Sequence, residues 1–192
     1  VDTAFSLKER ELKNWTRDYA WWDDTGKFAT VDSNIEWAEN NIGKYLQDTF
    51  GVTGTFVVAP DLSTVFYSPR TGNVVHDAQE FLGEQADVFL RAVQATSMES
   101  SIALTRYVRS DDKLYLVGAA PITKEQPSGD DLIRRPRPIL ILYKELGSAV
   151  VAEMSRQFLL NDLRIVSEPT KNAAAFFALR NENEPPVAFA SW

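Results

Sequence analysis

Apolar positions along this chain fall into two clear periods. Phe5, Leu12, Trp15, Tyr19 and Trp22 recur at steps of three, four and seven. That spacing marks one helix face and predicts a long helix over 3–24, with Gly26 at its C-terminal end. Asp32 or Ser33 can cap a second helix, with Ile35, Ala38, Ile42, Tyr45 and Leu46 on one stripe and Gly51 as its stop. The period then changes to two. Residues 55–59 and 64–68 read as strands around the turn Pro60-Asp61-Leu62-Ser63. Residues 77–95 return to the helical period through Phe81, Leu82, Val88, Phe89 and Ala92. Residues 101–109 and 113–122 alternate around Ser110-Asp111-Asp112, a hairpin signal. A polar, proline-bearing loop over 125–138 carries Arg134, Arg135 and Arg137, expected on a solvated surface. A buried-type strand at 139–143 and a helix at 148–160 follow. Strands at 163–166, 174–179 and 187–191 close the chain, with a turn at 181–184.

Successive strands joined by tight turns imply an antiparallel sheet with helices gathered at one side, an α+β fold. No internal repeat is visible, and the loop at 125–138 does not divide the chain. One domain over 1–192 is expected.

Composition narrows the chemistry. At 192 residues, with 44% hydrophobic and 24% charged content, the chain can bury a core without staples. It has no cysteine, which excludes disulfide scaffolds, thiolate metal sites and cysteine nucleophiles. A net charge of −7 argues against nucleic acid as a partner, since phosphate binding needs a basic surface. The longest apolar run, Ala173 to Leu179, falls far short of the roughly 18 residues that span a bilayer. The chain starts at Val1 and stops at Trp192 directly after a strand-like run. A fragment of a longer protein is expected.

The densest chemistry lies early. Trp15, Tyr19, Trp21, Trp22 and Trp37 cluster with Asp18, Asp23 and Asp24. Tryptophan and tyrosine bring large apolar area with a polar tip, which suits a pocket wall. The aromatic stripe is either core against a sheet or partly the lining of a cavity, and a sensor pocket is a hole in a core. Asp23 and Asp24 fall at the C-terminal end of the predicted helix, where the macrodipole disfavours acids. They are therefore read either as functional groups or, for Asp23, as the acceptor of an Asx-type turn. Helix neighbours point roughly 100° apart, so the two cannot face each other across a glycoside. The single histidine, His76, gives no metal set and no triad. No catalytic constellation, metal or cofactor is implied. Alternation over 102–108 places Arg106 on an otherwise apolar face, as a snorkelling or salt-bridged side chain or a carboxylate clamp. Tyr67 and Tyr115, read as lying on neighbouring strands, are candidates to add hydroxyls to the same cavity. The ligand-site candidates are Tyr19, Trp21, Trp22, Asp23, Asp24, Tyr67, Arg106 and Tyr115.

Asp18-Tyr19-Ala20-Trp21-Trp22-Asp23-Asp24-Thr25 resembles the signature D-x-A-x-W-D-D/N-T of the CHASE type-four family of extracytoplasmic sensory domains. Phe28 and Asn40 or Asn41 also fit. Gly118–Ile122, Pro138–Leu146 and Pro186–Trp192 resemble later strand segments of that family, so the likeness runs along nearly the whole chain. Gly26 departs from it, an aromatic residue being common there. The resemblance implies a PAS/Cache-like antiparallel sheet behind a long helix. It also implies a ligand-sensing, non-enzymatic domain in the periplasm, between two membrane anchors of an inner-membrane protein. Homodimers and cyclic di-GMP synthase, phosphodiesterase or histidine kinase outputs are further implied. A small-molecule ligand is expected, and the resemblance does not identify it. Two other functions stay open on the residues alone: a small acid-dependent hydrolase with Asp23 or Asp24 as general base, and a structural dimerisation module.

Overall fold

The computed structural model describes residues 1–70, 75–96, 102–123, 136–169 and 175–192 of the chain. The first helix, α1, runs over Asp2–Ala20 and stops earlier than the periodicity predicts. A second helix, α2, starts at once and spans Asp23–Thr30. The break falls between the paired tryptophans. Trp21 closes α1 in a helical conformation, and Trp22 is extended (φ −76°, ψ 128°) as the residue before α2. The Ala20 carbonyl accepts a hydrogen bond from the Thr123 backbone N–H at 3.0 Å. A terminal carbonyl of α1 is thus satisfied by a segment a hundred residues away, and local propensity carries no trace of it.

The second predicted helix is real but composite. It comprises α3 (Ile35–Ala38), a π-helical turn over Glu39–Gly43, and α4 (Lys44–Phe50). Its cap is Asn34, whose side chain accepts from the Trp37 N–H at 2.9 Å, rather than Asp32 or Ser33. Gly51 ends it in the left-handed region (φ 65°).

Strands β1 (Gly54–Val58) and β2 (Thr64–Pro69) form the first hairpin. The helical period over 77–95 resolves into α5 (Ala78–Leu82) and α6 (Ala86–Ala95). Gly83, at φ 78°, separates them. Strands β3 (Leu104–Ser110), β4 (Lys113–Pro121) and β5 (Ile139–Glu145) complete an antiparallel sheet of order β2-β1-β5-β4-β3. Helix α7 (Ser148–Phe158) follows. Strands β6 (Arg164–Val166), β7 (Phe176–Arg180) and β8 (Pro186–Ser191) form a separate three-stranded sheet, ordered β6-β8-β7. The fold is α+β, with a long N-terminal helix on an antiparallel five-stranded sheet.

The helices are not gathered at one side. Leu12 of α1 packs with Leu116, Leu140, Leu142 and Val57 on one face of the sheet. Phe81 and Leu82 of α5 and Leu90 and Val93 of α6 pack with Phe56, Val117, Ile139 and Ile141 on the other. Both faces of β4 and β5 are therefore apolar, and both are covered. The loop expected at 125–138 falls mainly outside the described residues, as do Arg134 and Arg135. Arg137 is described and is buried, 4% exposed, not solvated. Its guanidinium donates to the carbonyls of Gln94 and Thr96 at the C-terminal end of α6, where backbone acceptors lack helical partners.

Candidate functional site

The groove at the end of α1 is built from three elements. α1 supplies Asp18 and Tyr19, and the extended residue Trp22 follows. The π-helical turn supplies Asn41, and α4 supplies Tyr45 and Phe50. Together they line a groove of about 500 Å³, within the range of small-molecule sites. π-helical turns are rare and concentrate at functional positions. Here the turn brings Asn41 beside the aromatic cluster, and Asn41 Nδ2 donates to the Trp37 carbonyl at 2.8 Å.

The rings meet mostly at steep angles. Tyr19 and Trp22 lie 6.1 Å apart at 87°, Tyr19 and Phe50 5.9 Å apart at 70°, and Tyr45 and Phe50 6.4 Å apart at 82°. Trp15 backs Phe50 at 4.9 Å, and Trp37 backs Trp22 at 5.5 Å. Edge-to-face packing of this kind holds the walls in place. Burial, a hydrogen bond with Tyr45 and the carboxylate of Asp18 push the Tyr19 hydroxyl up to about 12. The ring therefore stays neutral at physiological pH.

Asp23 and Asp24 do not sit at the wrong pole of a helix. They open α2, where acids are favoured by the dipole. The break after Ala20 reverses the expectation drawn from one continuous helix. Asp24 pairs with Lys27 at 2.9 Å on the surface. It also borders a smaller cavity of about 120 Å³ with Phe28, Asp32, Asn34 and Trp37. Gly26 lies buried inside α2 rather than ending a helix.

The eight candidates divide among several places. Tyr19 and Trp22 line the groove, while Trp21, Asp23 and Asp24 stand beside it. Tyr67 and Tyr115 lie on the opposite face of the five-stranded sheet. They are not on neighbouring strands, since β1 and β5 intervene between β2 and β4. They do share a small cavity of about 20 Å³ with Phe81 and Tyr143, room for about one water molecule. Burial first, then the neighbouring Tyr67 and Tyr115, push the Tyr143 hydroxyl far up. Arg106 is on that face too, as its alternation predicts. Its guanidinium lies 5.2 Å from the centre of the Phe89 ring and 3.3 Å from Glu184. The salt-bridged reading of Arg106 is the one the geometry matches.

Asp18, Asn41, Tyr45 and Phe50 complete the groove without having been singled out as ligand contacts. Asn41 and Tyr45, four residues apart, share one helical face. That signal was present, but nothing local ties it to α1. Among the described residues, no group of three or more histidine, aspartate and glutamate side chains is placed to hold a metal. No described helix is long and apolar enough to cross a membrane.

In comparison with known families, the model of the CHASE4 domain matches residues 4–166. That range runs from α1 through β6 and includes the whole groove. No curated protein matches the chain.

Proposed function

Because the chain belongs to the CHASE4 family of extracytoplasmic sensory domains, we propose that it binds a small-molecule ligand in the groove of Asp18, Tyr19, Trp22, Asn41, Tyr45 and Phe50. The observation that carries this reading is the coincidence of cavity and family signature. The residues that resemble the signature, Asp18 to Thr25, are those that end α1, form the break and start α2. The groove therefore sits on a joint between helices. A ligand that prefers one arrangement of the α1–α2 joint shifts the population toward it. α1 lies along β4 and β5, so a change at its end reaches the centre of the sheet.

In the full receptor, this domain would stand outside the cytoplasmic membrane between two anchors and work as a dimer. Its output would be a cyclic di-GMP synthase, phosphodiesterase or histidine kinase module. Membership of a sensory rather than catalytic family disfavours the hydrolase reading. As adjacent first-turn residues of α2, Asp23 and Asp24 do not face each other as an acid–base pair.

A thermal-shift screen against amines, amino acids, organic acids and sugars tests the reading. A ligand at a hundred times its Kd adds about 2.7 kcal/mol, or roughly 5–11 °C for a domain of this size. The shift is expected to vanish in Tyr19→Ala and Trp22→Ala. Hits that persist undiminished in both variants would place the ligand elsewhere.

A further inference from the structure

Resting on that assignment of the groove, we infer that its ligand is an organic cation of the alkylated ammonium class, with a trimethylammonium head as the best fit. Four of the six lining residues are aromatic. The Tyr19, Trp22, Tyr45 and Phe50 rings meet at angles from 48° to 87°, as the walls of a box rather than a flat stack. Aromatic faces attract cations through the ring quadrupole, and such boxes select quaternary ammonium groups.

Charge points the same way. Asp18 is the one formally charged residue among those lining the groove. Arg17 engages only its Oδ1, through Nε at 3.0 Å and Nη2 at 2.8 Å. Oδ2 carries no hydrogen bond from the described residues. The Arg17–Asp18 pair is exposed, at 42% and 58% of the two side chains, so a ligand cation can compete with it at small cost. The groove also lies at the C-terminal pole of the 19-residue α1, which carries partial negative charge, while the opposite pole of the shorter α2 begins just beyond Trp22. A carboxylate or phosphate ligand would meet repulsion from Asp18, the formal charge on the lining.

The cluster already holds one cation. Lys144, on β5, places its ammonium 5.7 Å from the centre of the Trp15 ring, and Trp15 backs Phe50. One ring of the cluster, Trp15, thus serves as a cation platform from the sheet side, and the groove opens on other rings of the same cluster.

Hydrogen-bonding capacity separates quaternary from primary ammonium. A primary ammonium brings three donors that must be satisfied when buried. Arg17 engages Asp18 Oδ1 and the Tyr19 and Tyr45 hydroxyls bond each other, so Asn41 Oδ1 and Asp18 Oδ2 are the lining's side-chain acceptors outside these bonds, fewer than three donors need. A trimethylammonium head has no N–H and needs only the apolar walls and the negative field.

The test uses choline, its uncharged isostere 3,3-dimethylbutan-1-ol, and ethanolamine, each titrated by calorimetry and by tryptophan fluorescence. Choline is expected to bind at least tenfold tighter than the neutral isostere and tighter than ethanolamine. Asp18→Asn, at an exposed position that leaves the core untouched, is expected to weaken choline about fivefold and leave the isostere unchanged. Trp22→Leu keeps apolar volume but removes the ring face, and is expected to weaken choline tenfold or more. Circular dichroism confirms that each variant is folded. Equal binding of choline and its isostere would overturn the cation inference while leaving a ligand-binding groove. The same inference falls if choline shows no binding at millimolar concentration. If another class from the thermal screen bound and was lost in Tyr19→Ala and Trp22→Ala, the groove would stand with a different ligand. If all hits ignored both variants, the groove assignment itself would fail.

Discussion

Gly118 lies on β4 where α1 crosses the sheet, and a Cβ there would stand 2.5 Å from Thr16 Oγ1 and 3.1 Å from Leu12 Cγ. Thr16 is fully buried, and its hydroxyl donates to the Leu12 carbonyl at 2.7 Å, so neither neighbour yields freely. Gly118→Ala is therefore expected to destabilise the domain by about 1–3 kcal/mol, the usual effect of overpacking. Urea unfolding followed by tryptophan fluorescence measures it. Sequence reading at this scale had mixed reach. Tyr19 and Trp22 both line the groove, but not as one helix face: α1 ends at Ala20 and Trp22 is extended, so spacing named the residues without setting their geometry. The position of Asp23 and Asp24 was not, because it depends on the Ala20–Thr123 hydrogen bond that accompanies the end of α1. The interior place of Arg137 was hidden for the same reason: its acceptors, the Gln94 and Thr96 carbonyls, come from a distant helix end.

At the scale of elements, the β7–β8 turn acts as a clamp on the edge of the main sheet. Strand β3 is an edge strand, and its Tyr107 backbone N–H donates to Asn181 Oδ1 at 2.7 Å while Asn181 Nδ2 donates to the Tyr107 carbonyl at 3.1 Å. One side-chain amide thus pairs with the strand as another residue of a ladder would, and shields the edge. Arg106 and Glu184 reinforce the contact, and the Tyr107 hydroxyl donates to Glu9 of α1 at 2.6 Å. The N-terminal helix and the C-terminal sheet therefore meet through β3. Asn181→Ala leaves both Tyr107 groups without this partner and is expected to cost about 1–3 kcal/mol. Faster amide exchange at Tyr107 and across β7–β8 would report it. Glu182→Ala, exposed in the same turn, is expected to change stability by no more than about 0.5 kcal/mol.

At the scale of the whole molecule, acid sensitivity follows from how α1 is tied to α7. Lys8 is largely buried and bonds Glu153 at 3.0 Å and Glu11 at 3.2 Å. Burial lowers the Lys8 ammonium, but the two carboxylates outweigh it and leave it raised above 10.5. The bond from Lys8 holds the Glu153 carboxyl below 4.5. A depressed carboxyl stabilises the fold above its unfolded value, and that contribution fades as pH falls through the folded value. The raised lysine contributes below 10.5 and fades above it. Stability is thus expected to decline as pH drops below about 4.5, and less steeply in Glu153→Gln. Thermal midpoints between pH 3 and pH 7 check this. Periodicity and turn chemistry determined the α+β class, the hairpins and the long first helix, because those depend on neighbours within a turn or a strand. The stretch Asp18 to Thr25 was enough to indicate the family. Tertiary structure alone decided that helices cover both faces of the sheet, that α1 breaks between its paired tryptophans, and that Tyr67, Arg106 and Tyr115 stand across the sheet from Trp22. Each of these is settled by a hydrogen bond or a packed face contributed from far along the chain, which no local pattern encodes.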